Sequence, residues 1–224
     1  MMEWRSELIQ DISTEFLQNH LIRKEKGSGL FIREGIEISS VATSVKFSHT
    51  DETKRRKNIE QAKQDIKLAS HLGANVVRIF AGGASGELNS DLAKIIGDSF
   101  TEVGEYAIQD EVCPMLETGH DIIEGSKEAL QVIENVRTPN FGVLWNHAQL
   151  DDQVFNDLKN YIRHFHVHNP VLDEENEDIK DLAQKMKKVD YKGYISLEII
   201  RGENMAEKEL KETAQRLNKQ IAEA

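Results

Sequence analysis

Cysteine is almost absent from this chain: 224 residues include one, Cys113. A lone thiol excludes an internal disulfide framework and points to a reducing, cytoplasmic setting. Proline is scarce as well, with three residues, and no low-complexity tract interrupts the sequence. No apolar run approaches the roughly 20 residues that cross a bilayer, and no charged-then-apolar leader opens the chain, so a membrane partner is not expected. Positive charge is in deficit, 28 Lys and Arg against 39 Asp and Glu, for a net charge of −11. A nucleic-acid surface needs the opposite balance to displace counterions. The one basic cluster, Lys54-Arg55-Arg56-Lys57, falls in the first turns of a predicted helix flanked by acids and reads as a solvated face. The expectation is a soluble cytoplasmic protein that binds no nucleic acid.

What is present is a repeating order. Short strand candidates occur at Ile36 to Val41, Asn75 to Phe80, Val112 to Glu117, Phe141 to Asn146, Arg163 to His168 and Gly193 to Ile199. Each is rich in β-branched or aromatic residues and bounded by glycine or polar residues. Between them lie helical spacings. Ile59, Ala62, Ile66 and Ala69 recur at three and four residues, with Gly73 placed for a C-cap. The pattern returns in Leu92, Ile95, Ile96, Phe100 and Val103, and in Ala129, Ile133 and Val136 after the cap candidate Ser126. It returns again in Ile179, Leu182, Ala183, Met186 and Val189, and in Leu210, Ala214, Leu217 and Ile221.

Strand and helix alternating at roughly 20 to 40 residues indicate parallel βαβ units. An open doubly wound sheet and a closed barrel both satisfy this. No Gly-rich phosphate fingerprint follows any strand; Gly82-Gly83 after Phe80 lacks the spacing. Polar residues instead close several different strands, as in a barrel active site. The predicted fold is therefore an α/β, TIM-type (β/α) barrel forming one domain over residues 1–224. The first forty residues fit less well: Met2 to Arg5 reads as a strand, and Phe16, Leu17, Leu21 and Ile22 line a helix. At most seven strands can be counted where a full barrel has eight, so the first βα unit is expected to be missing at the N-terminus.

Four strands end on a polar residue that alternation points toward the barrel axis: Glu117, Asn146, His166 and Glu198. Their neighbours Leu116, Trp145, Phe165 and Leu197 would face the helices. Any one of these polar residues alone reads as a solvated loop residue or a hydrogen-bonded core group. Four at the same place in four units cannot all stay unsatisfied in a dry core, and one divalent cation satisfies them together. His164, His166 and His168 share a face by period two, so only one or two need act. Arg78 ends an inward-facing strand and is suited to a substrate hydroxyl or phosphate. His120, three residues beyond Glu117, is a candidate substrate contact, as are His168, Arg201 and Lys46.

From Ile36 to about Ile200 the chain resembles the xylose-isomerase-like TIM-barrel superfamily of sugar phosphate isomerases and epimerases. The resemblance is carried by residues 35–44, residues 69–80, Leu116-Glu117-Thr118, residues 142–146, Ile162 to Val167 and Gly193 to Glu198. It implies a metal site of glutamate, aspartate, histidine and glutamate on successive strands, falling here on Glu117, Asn146, His166 and Glu198. It also implies that Glu117 and Glu198 act as an acid/base pair beside a carbonyl polarised by the metal. The mixed oxygen and nitrogen ligands admit manganese, magnesium, zinc or cobalt.

Two departures stand out. Asn146 replaces the family's aspartate and removes one negative charge. The missing first unit would leave an open barrel edge, to be covered by a homodimer or by the N-terminal segment folding across it. The expected function is a metal-dependent isomerase or epimerase of a small sugar, polyol or sugar phosphate. The competing readings are a dehydratase of the same superfamily and a degenerate barrel that binds a ligand or partner without turnover.

Overall fold

A computed structural model describes residues 12–13, 37–83, 88–146, 152–168, 177–198 and 207–223. Seven strands are present among them: β1 (Ile12–Ser13), β2 (Val41–Lys46), β3 (Val76–Phe80), β4 (Cys113–Glu117), β5 (Gly142–Trp145), β6 (Ile162–His168) and β7 (Tyr194–Glu198). All pair in parallel and in chain order, each with its sequence neighbour. Helices α1 (Glu52–Leu72), α2 (Ser90–Ala107), α3 (Ser126–Ile133), α4 (Asp152–Leu158) and α5 (Glu177–Lys188) connect the strands from β2 to β7, and α6 (Glu207–Glu223) follows β7. An order that never reverses is that of a barrel wall rather than a doubly wound sheet. Among the described residues no pairing joins β7 back to β1.

The helices form where apolar spacing and end signals agree. In α1, Ile59, Ala62, Ile66 and Ala69 are buried on one face. The Asp51 side chain accepts the Lys54 amide at the start, and Gly73 ends the helix at φ 80 with its amide on the last turn's carbonyls. Asn89 caps α2 in the same way, accepting from Leu92. The cap of α3 is Gly125 rather than the expected Ser126, which is already helical; the Glu128 carboxylate accepts the Gly125 amide. Val189 is 37% exposed instead of joining the core, because α5 stops at Lys188 and the chain turns at Asp190 with φ 51.

Two further expectations move. The first long strand runs Val41–Lys46 rather than from Ile36. β-branched residues occur on both sides of the boundary, Ile36 and Ile38 before it and Thr43 and Val45 after it, so it is set by pairing on β3, Val41 on Val77 and Lys46 on Phe80. The strand ahead of it is Ile12–Ser13, pairing with Val41 and Ala42. The strand expected at Met2 to Arg5 and the helix through Phe16 and Ile22 lie outside the described residues.

Alternation divides the interior into two cores. Leu116, Trp145 and Phe165 join the large apolar cluster between sheet and helices, with Leu197 packed against it. Val76, Met115 and Leu144 form a separate small cluster, with Cys113 against it, on the other face of the sheet. That face carries Arg78, Glu117, Asn146, His164 and His166. The basic cluster of α1 is tied into exposed ion pairs, Arg55 and Arg56 with Glu52, and Arg56 with Glu102 of α2.

One buried residue is at odds with its surroundings. Asp65 on α1 is 2% exposed and accepts from Gln61 at 3.0 Å; burial pushes its carboxyl up from 3.8 to about 6. A carboxyl raised in the folded state stabilises it only while protonated, so this contribution is present below about pH 4 and lost as pH rises through 6. Asp65→Asn is expected to raise the unfolding free energy at pH 7 by roughly 1–3 kcal/mol. The gain should shrink toward zero near pH 4 in urea titrations; a pH-independent effect would contradict the assignment.

Candidate metal centre

Glu117 closes β4, Asn146 follows β5, His166 lies within β6 and Glu198 closes β7. Thr118 clips the first two together. Its amide and hydroxyl both donate to the Leu144 carbonyl, at 3.1 and 3.2 Å, and its hydroxyl accepts the Asn146 amide at 3.3 Å. The Glu117 and Asn146 side chains therefore leave the ends of two locked strands, both almost fully buried.

The two carboxylate oxygens of Glu117 have different tasks. Oε2 faces the Arg78 guanidinium at 3.1 Å, and that guanidinium also donates to the Thr43 carbonyl at 3.0 Å. Oε1 faces inward: it accepts from Asn146 Nδ2 at 3.2 Å and lies 3.6 Å from both His166 Nδ1 and His120 Nε2. Glu198 Oε2 approaches the same His166 nitrogen at 3.5 Å. These last contacts are too long for good hydrogen bonds, yet they bring two carboxylates onto one imidazole nitrogen.

One cation would account for that convergence. Glu117, His166 and Glu198 each offer a ligand atom, all within 4.8 Å of one another. Donors placed about 2.1 Å from a tetrahedral ion sit about 3.4 Å apart, close to the 3.5 and 3.6 Å seen around His166. Turning the Asn146 amide over would set Oδ1 where Nδ2 now lies, since the two ends are nearly the same size. The residues present thus fit a divalent ion.

The surroundings of the centre are built from the same strand ends. His164, fully buried, lies 2.7 Å from the Ser196 hydroxyl through Nε2 and meets the His166 ring edge-on at 5.4 Å. Ser196 is two residues before Glu198, so this contact ties β6 to β7 just beneath His166 and Glu198. Above the centre, the Arg78 guanidinium stacks 3.9 Å from the Phe80 ring, whose other contacts are the His120 ring edge and the Lys46 ammonium. Lys46 also pairs with Asp121 at 3.5 Å.

The sequence-predicted residues Arg78, His120 and Lys46 are thus brought to the mouth of the centre. His168 extends β6 opposite Glu198 in the ladder, and Arg201 lies outside the described residues. Thr118, Phe80, Ser196 and Asp121 carry contacts that the sequence reading did not assign. Ser196 could have been found by its period-two spacing from Glu198; Asp121, in a turn at φ 53, gave no comparable signal.

Known proteins agree with this architecture. The Xylose isomerase-like TIM barrel family profile matches residues 12–220. No curated protein matches the sequence. Among solved structures, D-psicose 3-epimerase with D-tagatose from Clostridium cellulolyticum H10 superposes with a TM-score of 0.75 at 13% identity, over 96% of this chain and 87% of that one. The 3-keto-D-glucoside 4-epimerase YcjR from E. coli gives 0.70 at 15%, over 88% and 84%. The IOLI protein with a binding zinc atom gives 0.70 at 18%, over 96% and 87%. At such identities the structures speak for the fold, and the family match speaks for descent. The chain belongs to the xylose isomerase-like TIM barrel family.

Proposed function

We propose that the protein is a metal-dependent isomerase or epimerase of a small sugar, polyol or sugar phosphate. The observation that carries this reading is the approach of Glu117 and Glu198 to one nitrogen of His166, at 3.6 and 3.5 Å. Glu117, His166 and Glu198, with Asn146 as a fourth donor, would hold the ion. When bound, the ion supplies Lewis-acid polarisation of a substrate carbonyl.

The remaining chemistry belongs to the chain. Two carboxylates facing one small space can work as a pair: one removes the proton from the carbon beside the carbonyl, and the other returns a proton to that carbon from the opposite face. The carboxylate that took the proton and the one that gave it return to their starting states by exchange with water. Arg78 fixes the plane of Glu117 by holding Oε2, which leaves Oε1 toward the substrate space. His164 and Ser196 hold the strand carrying Glu198 in register with the strand carrying His166. Lys46, His120 and Arg78 present positive or hydrogen-bonding groups at the mouth, suited to substrate hydroxyls or a phosphate. Relatives of this shape named as epimerases of ketoses and of a ketoglucoside support the class.

The test uses ketoses and ketose phosphates in deuterium oxide with added manganese, followed by proton NMR. Deuterium entering the carbon beside the carbonyl together with a second stereoisomer is the expected result. Exchange and epimer both absent across the panel would turn the assignment toward the alternative.

That alternative is a barrel that binds a ligand without turnover, and Asn146 is the feature that favours it. An amide donor carries no charge, so Asn146→Asp is expected to tighten divalent metal binding by about 10- to 100-fold. Calorimetry with manganese checks this. Turnover gained only in the variant would mean that the natural chain has set catalysis aside.

A further inference from the structure

The ends of the strands remote from the metal centre line a cavity of about 450 Å³. Its wall includes Asn75 ahead of β3, Lys159 and Asn160 ahead of β6, Arg163 at the start of β6, and Asp190 and Lys192 ahead of β7. Strands three and four places apart in the sheet line one space because the sheet curls.

Arg163 is there because of an irregularity. Val143 pairs with Ile162 and Leu144 with His164, which leaves Arg163 as an extra residue in β6. Regular alternation would send it outward with Phe165 and Val167. A bulge re-aims a side chain, and here the Arg163 stem lies over Gly142 of the neighbouring strand. A Cβ on Gly142 would stand 2.4 Å from Arg163 Cγ and 3.4 Å from Cys113 Sγ, so the missing side chain makes the room.

The charge of this wall opposes that of the chain. Among the described residues, Lys159, Arg163 and Lys192 share the wall with a single acid, Asp190, in a protein of net charge −11. Lys192 Nζ is 2.6 Å from Asp190, and Lys159 donates to Asn156 at 3.2 Å. The guanidinium of Arg163 donates through Nη1 to the carbonyls of Asn160 and Ile162, at 3.0 and 3.1 Å. No described carboxylate forms an ion pair with it. Its planar fork is suited to an oxyanion, and two ammonium groups and two side-chain amides stand on the same wall.

We propose that this cavity is a second ligand site, separate from the metal centre, which binds the phosphate group of a small molecule. The volume falls within the range of small-molecule sites, and a wall of three cations and one acid matches a phosphate dianion. Metal centre and cavity lie at opposite ends of the strands, so the bound phosphate is not part of the reacting molecule. The site stands independently of the function proposed above.

The experiment is calorimetric titration of the full chain with inorganic phosphate and, separately, with glycerol phosphate at low salt. The chains compared are the natural one, Arg163→Met, Lys192→Met and Glu117→Gln. Arg163→Met keeps the stem over Gly142 and removes the charge. Lys192, whose side chain is 68% exposed, can be changed without burdening the fold. Saturable binding is expected for both ligands, with glycerol phosphate at least as tight as inorganic phosphate. Affinity should fall about 10-fold or more in Arg163→Met, fall several-fold in Lys192→Met and hold in Glu117→Gln. Absence of saturation, exclusion of glycerol phosphate, binding that survives both Arg163→Met and Lys192→Met, or loss on Glu117→Gln would each overturn the proposal.

Discussion

Glu117→Gln is expected to lower turnover by about 100- to 10,000-fold and to weaken metal binding by at least about 100-fold. Oε1 of this residue is the point where Asn146, His166 and His120 converge, at 3.2, 3.6 and 3.6 Å. Glutamine keeps the volume and removes the charge, so packing around it should persist. On the proposed function, what disappears is one of two anionic donors and one of two proton-transfer groups. Circular dichroism should show the fold unchanged, which separates the effect from collapse of the barrel. If the variant keeps both metal and turnover, Glu117 has neither role.

The second large effect is on stability. Arg78 is 14% exposed and Glu117 1%, with the guanidinium at 3.1 Å from Oε2. Removing one partner of a buried ion pair leaves a charge without compensation, which costs about 3–5 kcal/mol. Arg78→Met keeps an apolar stem near Phe80 but abandons the Glu117 carboxylate. In metal-free protein its unfolding free energy is expected to drop by about 3 kcal/mol. The double variant Arg78→Met with Glu117→Gln should recover a large part of that loss, because no buried charge then remains unmatched. Additive losses in the double-mutant cycle would mean that Arg78 acts through its stacking on Phe80 and its bond to Thr43, not through charge. Added manganese should also restore part of the stability of Arg78→Met, since a cation at Oε1 relieves the same carboxylate.

Which parts of this architecture the sequence reveals follows from the range of the forces involved. The alternation that puts Leu116, Trp145 and Phe165 into the outer core and turns Glu117, Asn146 and His166 inward is local, and period two is read from a few residues. The same holds for the face of α1, whose buried positions Ile59, Ala62, Ile66 and Ala69 are those predicted. Register is not local. The shift of the first long strand to Val41–Lys46 depends on β3, and so does the irregularity between Ala42 and Lys46 that brings Lys46 opposite Phe80. Arg163 looks like an outward residue until the pairing of β5 with β6 is known. Thr118 is a small polar residue whose partners, Leu144 and Asn146, sit at the end of the neighbouring strand, so nothing beside it in the chain announces its contacts. The mouth of the centre was legible as chemistry, in Arg78 and His120, but its assembly around the Phe80 ring was not.

The metal content of the protein tests the central claim most directly. Natural chain, Glu117→Gln and Asn146→Asp, purified in parallel and loaded with manganese or zinc, would be desalted and measured by elemental mass spectrometry. About one ion per natural chain, at least as much in Asn146→Asp and little in Glu117→Gln, is the result expected of a centre closed by Glu117, His166 and Glu198. Metal absent from both the natural chain and Asn146→Asp would contradict it.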